Sequence, residues 1–247
     1  MANLVIDIGN TYIKMAVFNQ GQIIYTEQQQ AVTTAVIDKL LVGFQIKDVI
    51  ISSVKSKIEE WQIYLQHKVP LRYFNAAMAK DIVNHYVTPE TLGPDRLAGV
   101  LGAKFLYPGK NSVIVIGGTC ITYDWVDFKG NYYGGSISPG LNMRYKALNN
   151  YTAGLPLIKS DENFTGDYGN STITAIQSGV QNGIKYELEG FIKSYLLKGQ
   201  EPNIILSGGD GIFFDTLLKN SIFASCIKIE PYLVLKGLNA AILNNND

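Results

Sequence analysis

The chain has 247 residues, of which 47% are hydrophobic and 17% charged, and its 21 basic residues balance its 21 acidic ones. These values fit a globular protein with one large or two modest domains, and the even charge argues against nucleic acid as a partner. Only two cysteines, no signal-peptide pattern and no apolar run of membrane-span length predict a cytoplasmic protein without a disulfide framework or membrane contact.

In the first half, short apolar runs separated by glycine turns predict strands that alternate with helices. Strands are expected at 4–6, 12–18, 22–27, 48–53 and 71–73, and helices at 31–41, 58–67 and 95–107. The dipeptide Pro108-Gly109 closes the last of these helices, and it marks the predicted boundary between a domain at 1–110 and a domain at 111–247.

The second half opens again with a cluster of strands, which predicts two domains of similar α/β construction. Its expected elements are strands within 112–135, a strand at 203–207, helices at 142–151, 171–197 and 231–243, and a loop-rich stretch at 155–169.

A glycine pattern occurs twice at the start of these halves. The segments 4–11 (LVIDIGNT) and 113–120 (VIVIGGTC) each run from an apolar strand into a turn, and a shift of 109 residues places Gly9 on Gly118. Two such turns across a cleft could hold a nucleoside triphosphate between two sets of backbone N–H groups.

Chemically, the first turn suits a phosphate and its metal ion. Asp7 ends the strand, where a carboxylate could hold Mg²⁺, and Gly9 allows the backbone to approach an anion closely. Asn10 and Thr11 add short donors, and Lys14 adds a positive charge. The alternative is a turn that merely joins two strands, and the second copy of the pattern favours phosphate binding.

Two further glycine segments carry weaker signals. Thr119 takes the place of Asn10 in the second copy, where it suits the other side of the phosphate chain unless the turn is merely structural. Cys120 is interpreted as a packed small residue. The sequence 208–211 (GGDG) follows an apolar strand, and its bare backbone suits an adenine or a ribose. The connection 134–140 is interpreted as structural.

A polar cluster precedes the helix expected at 95–107. It consists of Tyr86 and the run Gly93-Pro94-Asp95-Arg96. Asp95 could accept a proton from a substrate hydroxyl, and Arg96 could bind a carboxylate or a phosphate. On chemistry alone, an N-capping aspartate with a surface arginine remains an alternative.

Six motifs in this order resemble the type III pantothenate kinase family, which belongs to the actin/hexokinase-like nucleotide-binding superfamily. The motifs span nearly the whole chain and are DIGNTYIK at 7–14, YVTPETLGPDR at 86–96, GGTCITYD at 117–124, GGSISPGL at 134–141, STITAIQSG at 171–179 and SGGD at 207–210. The resemblance implies two actin/ribonuclease H-like domains, each a mixed sheet flanked by helices, with a nucleotide cleft between them. The first would carry the phosphate loop and the Asp-Arg segment, and the second would carry the other phosphate loop and the adenosine loop.

The same resemblance implies ATP-dependent phosphorylation of pantothenate to 4'-phosphopantothenate, the first step of coenzyme A biosynthesis. It also implies a homodimer, Mg²⁺ near Asp7 through water, a monovalent cation (K⁺ or NH₄⁺), and Asp95 as the general base. The implied ATP-binding residues are Asp7, Ile8, Gly9, Asn10, Thr11, Tyr12, Ile13, Lys14 and Thr119. The implied substrate-binding residues are Tyr86, Gly93, Pro94, Asp95, Arg96 and Thr172, the last acting in its own subunit or across the dimer.

One position departs from the family. An aspartate usually stands where this chain has Ile116, and that aspartate looks like the ligand of the monovalent cation. Isoleucine offers no oxygen, so weak or absent K⁺ stimulation is expected. Two alternatives stay open, which are a catalytically silent nucleotide-binding regulator and another kinase or phosphatase of the superfamily that acts on a sugar or a polyphosphate.

Overall fold

The computed structural model describes residues 1–55, 57–196 and 202–245. In this part of the chain the strands form two mixed sheets flanked by helices, which confirms the predicted α/β class. The strands are β1 (Ala2–Ile8), β2 (Ile13–Asn19), β3 (Gln22–Gln29), β4 (Ile46–Ser53), β5 (Leu71–Tyr73), β6 (Val83–Asn84), β7 (Ser112–Gly117), β8 (Cys120–Val126), β9 (Asn131–Pro139), β10 (Asn203–Gly208) and β11 (Ile227–Ile229).

The two sheets repeat one strand arrangement. The first has the order β3-β2-β1-β4-β5, and the second has the order β11-β10-β7-β8-β9-β6. In each, the opening strand pairs antiparallel with the next strand and parallel with a later one, as β1 does with β2 and β4 and as β7 does with β8 and β10. The repeat predicted from the two glycine turns is therefore a repeat of the fold.

Seven α-helices accompany the sheets in the described residues. They are α1 (Thr34–Gly43), α2 (Glu60–Gln66), α3 (Pro94–Leu106), α4 (Leu141–Asn150), α5 (Thr172–Leu196), α6 (Gly211–Leu218) and α7 (Leu233–Asn244). Every predicted helix is found within a few residues of its expected bounds, although residue 197 of the helix expected at 171–197 lies outside the described residues.

Helix α6 and the short strands β6 and β11 are not predicted by the sequence patterns. The eight residues of α6 are mostly apolar (GIFFDTLL), and such a short apolar run has no period that separates a helix from a strand. The short strands contain two and three residues, which is too few for any alternation to be recognised.

By its internal contacts the chain divides into two compact units. The first unit contains 1–108, 129–132 and the residues from Tyr232 onward, and the second contains 109–128 and 133–231. The division differs from the predicted domains chiefly at α7, which packs with the first unit, against α3. A β-carbon on Gly237 would lie 1.8 Å from the carbonyl oxygen of Ala98, so the two helices approach more closely than any larger residue allows.

Each unit has its own apolar core. In the first, residues of β1, β2 and β4 pack against α1 and α2, with Trp61 and Leu65 among the buried side chains. In the second, β7, β8 and β10 pack against α4, α5 and α6, and Tyr123 and Phe214 are fully buried. Among the described residues, no helix has the length and apolar character that crossing a membrane would require.

Candidate functional site

In the first unit, Asp7 lies near the end of β1 with polar neighbours on both flanking strands. Its register partner on antiparallel β2 is Lys14, and its partner on parallel β4 is Ser52. Asp7 is 9% exposed, and its Oδ1 atom is buried without a hydrogen bond from the described residues. The Ser52 hydroxyl is likewise buried, and no group in the described part of the chain forms a hydrogen bond with it. These polar atoms lie together at one edge of an otherwise apolar sheet, which is unusual unless a ligand satisfies them.

The surroundings of Asp7 disfavour its ionised form. Burial, followed by the negative charge of Asp95, raises the pKa of Asp7 from 3.8 to about 6, and the positive charge of Lys14 opposes this only in part. The effect of Asp95 shows that the two carboxylates lie within electrostatic reach of each other. The first unit thus brings together Asp7, Lys14 and Asp95, three of the residues that the sequence singled out.

This raised pKa predicts how stability depends on pH. Between the unfolded pKa of 3.8 and the folded pKa of about 6, the folded state keeps a proton that the unfolded state loses, so stability falls as the pH rises through this window. At neutral pH the ionised Asp7 side chain lowers the free energy of unfolding by about 3 kcal/mol. We expect Asp7→Asn to be more stable than the natural chain by up to this amount at pH 7.5.

Urea unfolding without ligands measures this difference. The two proteins should converge in stability below about pH 3, where Asp7 is protonated in both the folded and unfolded states. An Asp7→Asn variant less stable than the natural chain at pH 7.5 would contradict the inference that the ionised Asp7 carboxylate destabilises the fold.

The first glycine turn follows Asp7 directly. The Gly9 N–H donates to the carbonyl oxygen of Tyr12 at 3.0 Å and closes the turn, whose tip at Asn10 and Thr11 is exposed. The side chains of Ile8 and Ile13 are buried in the sheet, so these two predicted ATP-binding residues could meet a nucleotide only through their backbone.

The predicted substrate segment forms the start of α3. Gly93 is the N-cap and Pro94 the first helical residue, which suits proline because that position needs no N–H partner. Asp95 Oδ1 accepts the Arg96 N–H at 2.9 Å, and a β-carbon on Gly93 would lie 2.6 Å from the same oxygen. A side chain at position 93 would therefore displace the Asp95 carboxylate from this position.

Arg96 is 4% exposed, so the alternative of a surface arginine is wrong. Its guanidinium carbon lies 5.6 Å from the centre of the Tyr86 ring, a cation–π distance. Tyr86 stacks in turn on fully buried Tyr132, with 6.4 Å between ring centres and 5° between planes. Tyr132 was missed by the sequence analysis, since nothing in its neighbourhood along the chain indicates the stack.

In the second unit, the hydrogen bond that closes the other glycine turn joins residues two positions apart, instead of three as in the first turn. The Gly118 N–H donates to the Cys120 carbonyl at 3.0 Å, and Gly118 and Thr119 are exposed. The Gly140 N–H donates to the carbonyl oxygen of Thr119 at 3.1 Å, and a β-carbon on Gly140 would lie 2.2 Å from the Gly118 carbonyl oxygen. The connection at 134–140 therefore packs closely on this turn, which fits its interpretation as structural.

The predicted adenosine loop also lies in the second unit. Gly208 has φ of +82°, and a β-carbon there would lie 2.1 Å from the carbonyl oxygen of Gly117. By contrast, a β-carbon on Gly209 would meet nothing within 4 Å. The loop thus combines a glycine that the fold requires with one that leaves open backbone.

Two other predicted positions can be located within the second unit. Ile116 lies on β7 between Thr122 of β8 and Ser207 of β10, and its side chain offers no ligand atom. Thr122 Oγ1 is buried and forms no hydrogen bond to the described residues. Thr172 is the first residue of α5 and is exposed.

Comparison with known proteins gives a consistent result. The sequence profile of the family described as type III pantothenate kinase matches residues 3–194. The type III pantothenate kinase of Bacteroides fragilis is 39% identical over 99% of this chain and 98% of its own length. That of Christiangramia forsetii is 42% identical over 96% of each chain.

Solved structures share the fold at lower sequence identity. A Campylobacter jejuni protein assigned to the Baf family of transcriptional activators has a TM-score of 0.63 at 18% identity, with 98% of both chains covered. The activator of 2-hydroxyisocaproyl-CoA dehydratase from Clostridium difficile, solved with bound ADPNP, has a TM-score of 0.58 at 13% identity and covers 100% of this chain and 96% of its own. The fold is that of the actin/hexokinase-like proteins. The family profile matches most of the chain, and near full-length relatives are about 40% identical to it. The chain therefore belongs to the type III pantothenate kinase family.

Proposed function

We propose that this protein transfers the γ-phosphoryl group of ATP to the primary alcohol of pantothenate and forms 4'-phosphopantothenate, the first step of coenzyme A biosynthesis. The observation that carries the proposal is the near full-length similarity, at 36% to 42% identity, to relatives named type III pantothenate kinase. A cytoplasmic location fits this metabolic role.

Pantothenate would bind along the segment that starts α3. Arg96 is buried and packed on Tyr86, which favours a fixed guanidinium that could bind the substrate carboxylate. Gly93 and Pro94 shape the turn, and Thr172 at the start of α5 would reach the substrate in its own subunit or across a dimer. Asp95, at the helix start, would face the reacting hydroxyl.

ATP would bind through the two glycine turns. Residues 7–14 and Thr119 would contact the phosphates, and the open backbone at Gly209 would accept the adenosine part. Two exposed turn tips, each preceded by a buried strand, are suited to phosphate because short polar side chains and backbone N–H groups lie there. The ADPNP bound by the related C. difficile activator supports a nucleotide site in this fold.

Mg²⁺ is implied by the family, and Asp7 fits it. Its Oδ1 atom is buried without a hydrogen bond from the described residues, and carboxylate oxygen is a preferred ligand of Mg²⁺. The described residues contain no cluster of three His, Cys, Asp or Glu side chains that could hold a metal alone, so phosphate oxygens and water would complete the coordination. When bound, the ion would neutralise phosphate charge.

In the reaction, the alcohol oxygen of pantothenate forms a bond to the γ-phosphorus while the bond from that phosphorus to the bridging oxygen of ADP breaks. The proton of the alcohol passes to the carboxylate of Asp95, which also orients the hydroxyl. Lys14 would neutralise phosphate charge, and Arg96 would position the substrate. Charge neutralisation and positioning supply most of the rate acceleration in phosphoryl transfer.

Pantothenate-dependent release of ADP tests the proposal. The purified full chain should release ADP from MgATP with pantothenate and not with a panel of sugars. Nucleotide binding without any ADP release would favour a silent regulatory relative, and release with a sugar would favour another kinase of the superfamily. Either result would overturn the proposed activity.

The isoleucine at position 116 predicts a weak response to monovalent cations. We expect turnover in K⁺ to stay close to that in Na⁺ at equal ionic strength, because this side chain offers no oxygen to either ion. Ile116→Asp should gain K⁺ stimulation, since a carboxylate would then stand beside the buried hydroxyl of Thr122. Steep K⁺ dependence of the natural chain would show that other atoms hold the cation.

The family resemblance also implies a homodimer, and we propose one here. Light scattering should give twice the 27.2 kDa of a single chain. A monomer that retains full activity would remove any role for Thr172 across a subunit boundary.

A further inference from the structure

A polar network in the second unit surrounds Glu187 of α5. Glu187 Oε2 accepts from Arg144 Nη2 at 2.6 Å and from the Ser138 hydroxyl at 3.0 Å, while its Oε1 accepts from the Tyr123 hydroxyl at 2.8 Å. Arg144 Nη2 also donates to the Ser138 hydroxyl at 2.9 Å. One carboxylate thereby ties together β8, β9, α4 and α5.

Arg144 continues this network to the backbone beside the second glycine turn. Its Nε donates to the Pro139 carbonyl at 2.8 Å, and its backbone N–H donates to the Gly140 carbonyl at 3.0 Å. Gly140 then donates its own N–H to the Thr119 carbonyl. Only Pro139 and Gly140 therefore separate the ion pair from Thr119, which is proposed to contact ATP.

The contact between Gly140 and this turn has no free space. A β-carbon on Gly140 would lie 2.2 Å from the Gly118 carbonyl oxygen and 2.6 Å from that of Thr119. Close-packed backbone transmits displacement rather than absorbing it. A shift of residues 139–140 would therefore move the Gly118-Thr119 turn.

A second path runs through β8, the strand that leaves the turn. The Tyr123 hydroxyl is fixed by Glu187, and the Tyr123 backbone is in contact with Gly135, where a β-carbon would lie 1.7 Å from the Tyr123 carbonyl oxygen. The Glu187 carboxylate thus restrains both β8, which follows the turn, and the end of β9, which packs on the turn.

We propose that the Arg144–Glu187 ion pair is a positioning device for the Gly118-Thr119 turn, so that its loss weakens ATP binding and leaves pantothenate binding nearly unchanged. This inference rests on the proposed function, since Thr119 must contact ATP for the positioning to matter. Neither charged residue touches the nucleotide; both act through the turn's backbone.

Arg144→Met and Glu187→Gln test the proposal in the full-length protein. Methionine keeps much of the aliphatic volume of arginine but donates no hydrogen bond, and glutamine keeps the shape of glutamate without its charge. We expect the KM for ATP, and the Kd of a non-hydrolysable ATP analogue, to rise about tenfold, as for the loss of a precise binding geometry. The KM for pantothenate should change far less, and Arg144→Lys should give an intermediate effect.

Arg72→Met is the matched control. Arg72 Nη2 forms an ion pair with Asp48 Oδ1 at 3.0 Å in the first unit, between strands β5 and β4 and outside both glycine turns. Its loss should lower the melting temperature without changing the analogue Kd. An Arg144→Met protein with an unchanged analogue Kd, or with equal rises in both KM values, would overturn the proposal.

The analogue Kd also separates this inference from the proposed function. If the natural chain binds the analogue but releases no ADP with pantothenate, the proposed activity fails while the effect of Arg144→Met on binding still tests the positioning role. The milder Glu187→Gln variant provides the same test if Arg144→Met does not fold.

Discussion

Replacing Asp95 with Asn is expected to lower turnover by roughly 10²- to 10⁴-fold, the usual contribution of a general base. The amide can still accept the Arg96 N–H through its oxygen, so the start of α3 should keep its conformation. What it loses is the ability to take the proton from the alcohol. Steady-state ADP release with pantothenate measures the effect.

The Kd of a non-hydrolysable ATP analogue provides the control for Asp95→Asn and should change little. Removing the negative charge at position 95 should also lower the pKa of Asp7, because that charge is one of the two causes that raise it. Turnover equal to that of the natural chain would remove Asp95 from the mechanism.

Gly237→Ala is expected to have the largest effect on stability, about 3 kcal/mol or more of destabilisation. Its β-carbon would lie 1.8 Å from the Ala98 carbonyl oxygen and 2.8 Å from the Gly102 nitrogen, and both are backbone atoms of α3 that cannot rotate away. Helices α3 and α7 would have to separate. Denaturant unfolding measures the loss.

Gly190→Ala is the matched control for this prediction. Gly190 also lies within a helix, α5, but a β-carbon there would meet nothing within 4 Å. This substitution should stabilise the protein by roughly 0.5–1 kcal/mol through helix propensity alone. Equal effects of the two alanines would show that the close approach of α3 and α7 does not constrain the fold.

Local patterns along the chain were sufficient for most of the fold. Helix α3 could be placed because Gly93-Pro94 and Pro108-Gly109 mark its two ends, and the double strand opening could be found because two glycine turns recur at a fixed spacing. These signals lie within a few residues of the structure that they specify. The packing of α7 on α3 has no such signal, since Ala98 and Gly237 meet only after the intervening chain has folded.

The same distinction holds for the candidate site. Asp7 and Asp95 could be proposed because each lies two residues from a glycine in a turn whose residue types suit phosphate or proton chemistry. Ser52 follows from its strand only once β4 is known to pair with β1. Tyr132 and the Arg144–Glu187 pair could not be found, because stacking and ion pairing between residues more than 40 positions apart leave no local pattern.

The return of α7 to the first unit has a consequence for synthesis on the ribosome. The face of α3 that α7 covers includes the backbone of Ala98 and Gly102. This face is synthesised long before residues 233–244 are translated. During that interval the nascent first unit lacks its last helix, whereas the second unit already has every segment that it needs. The second unit is thus free to mature first, and a message cut short before α7 would yield a chain with an uncovered apolar helix, a target for chaperones and proteases.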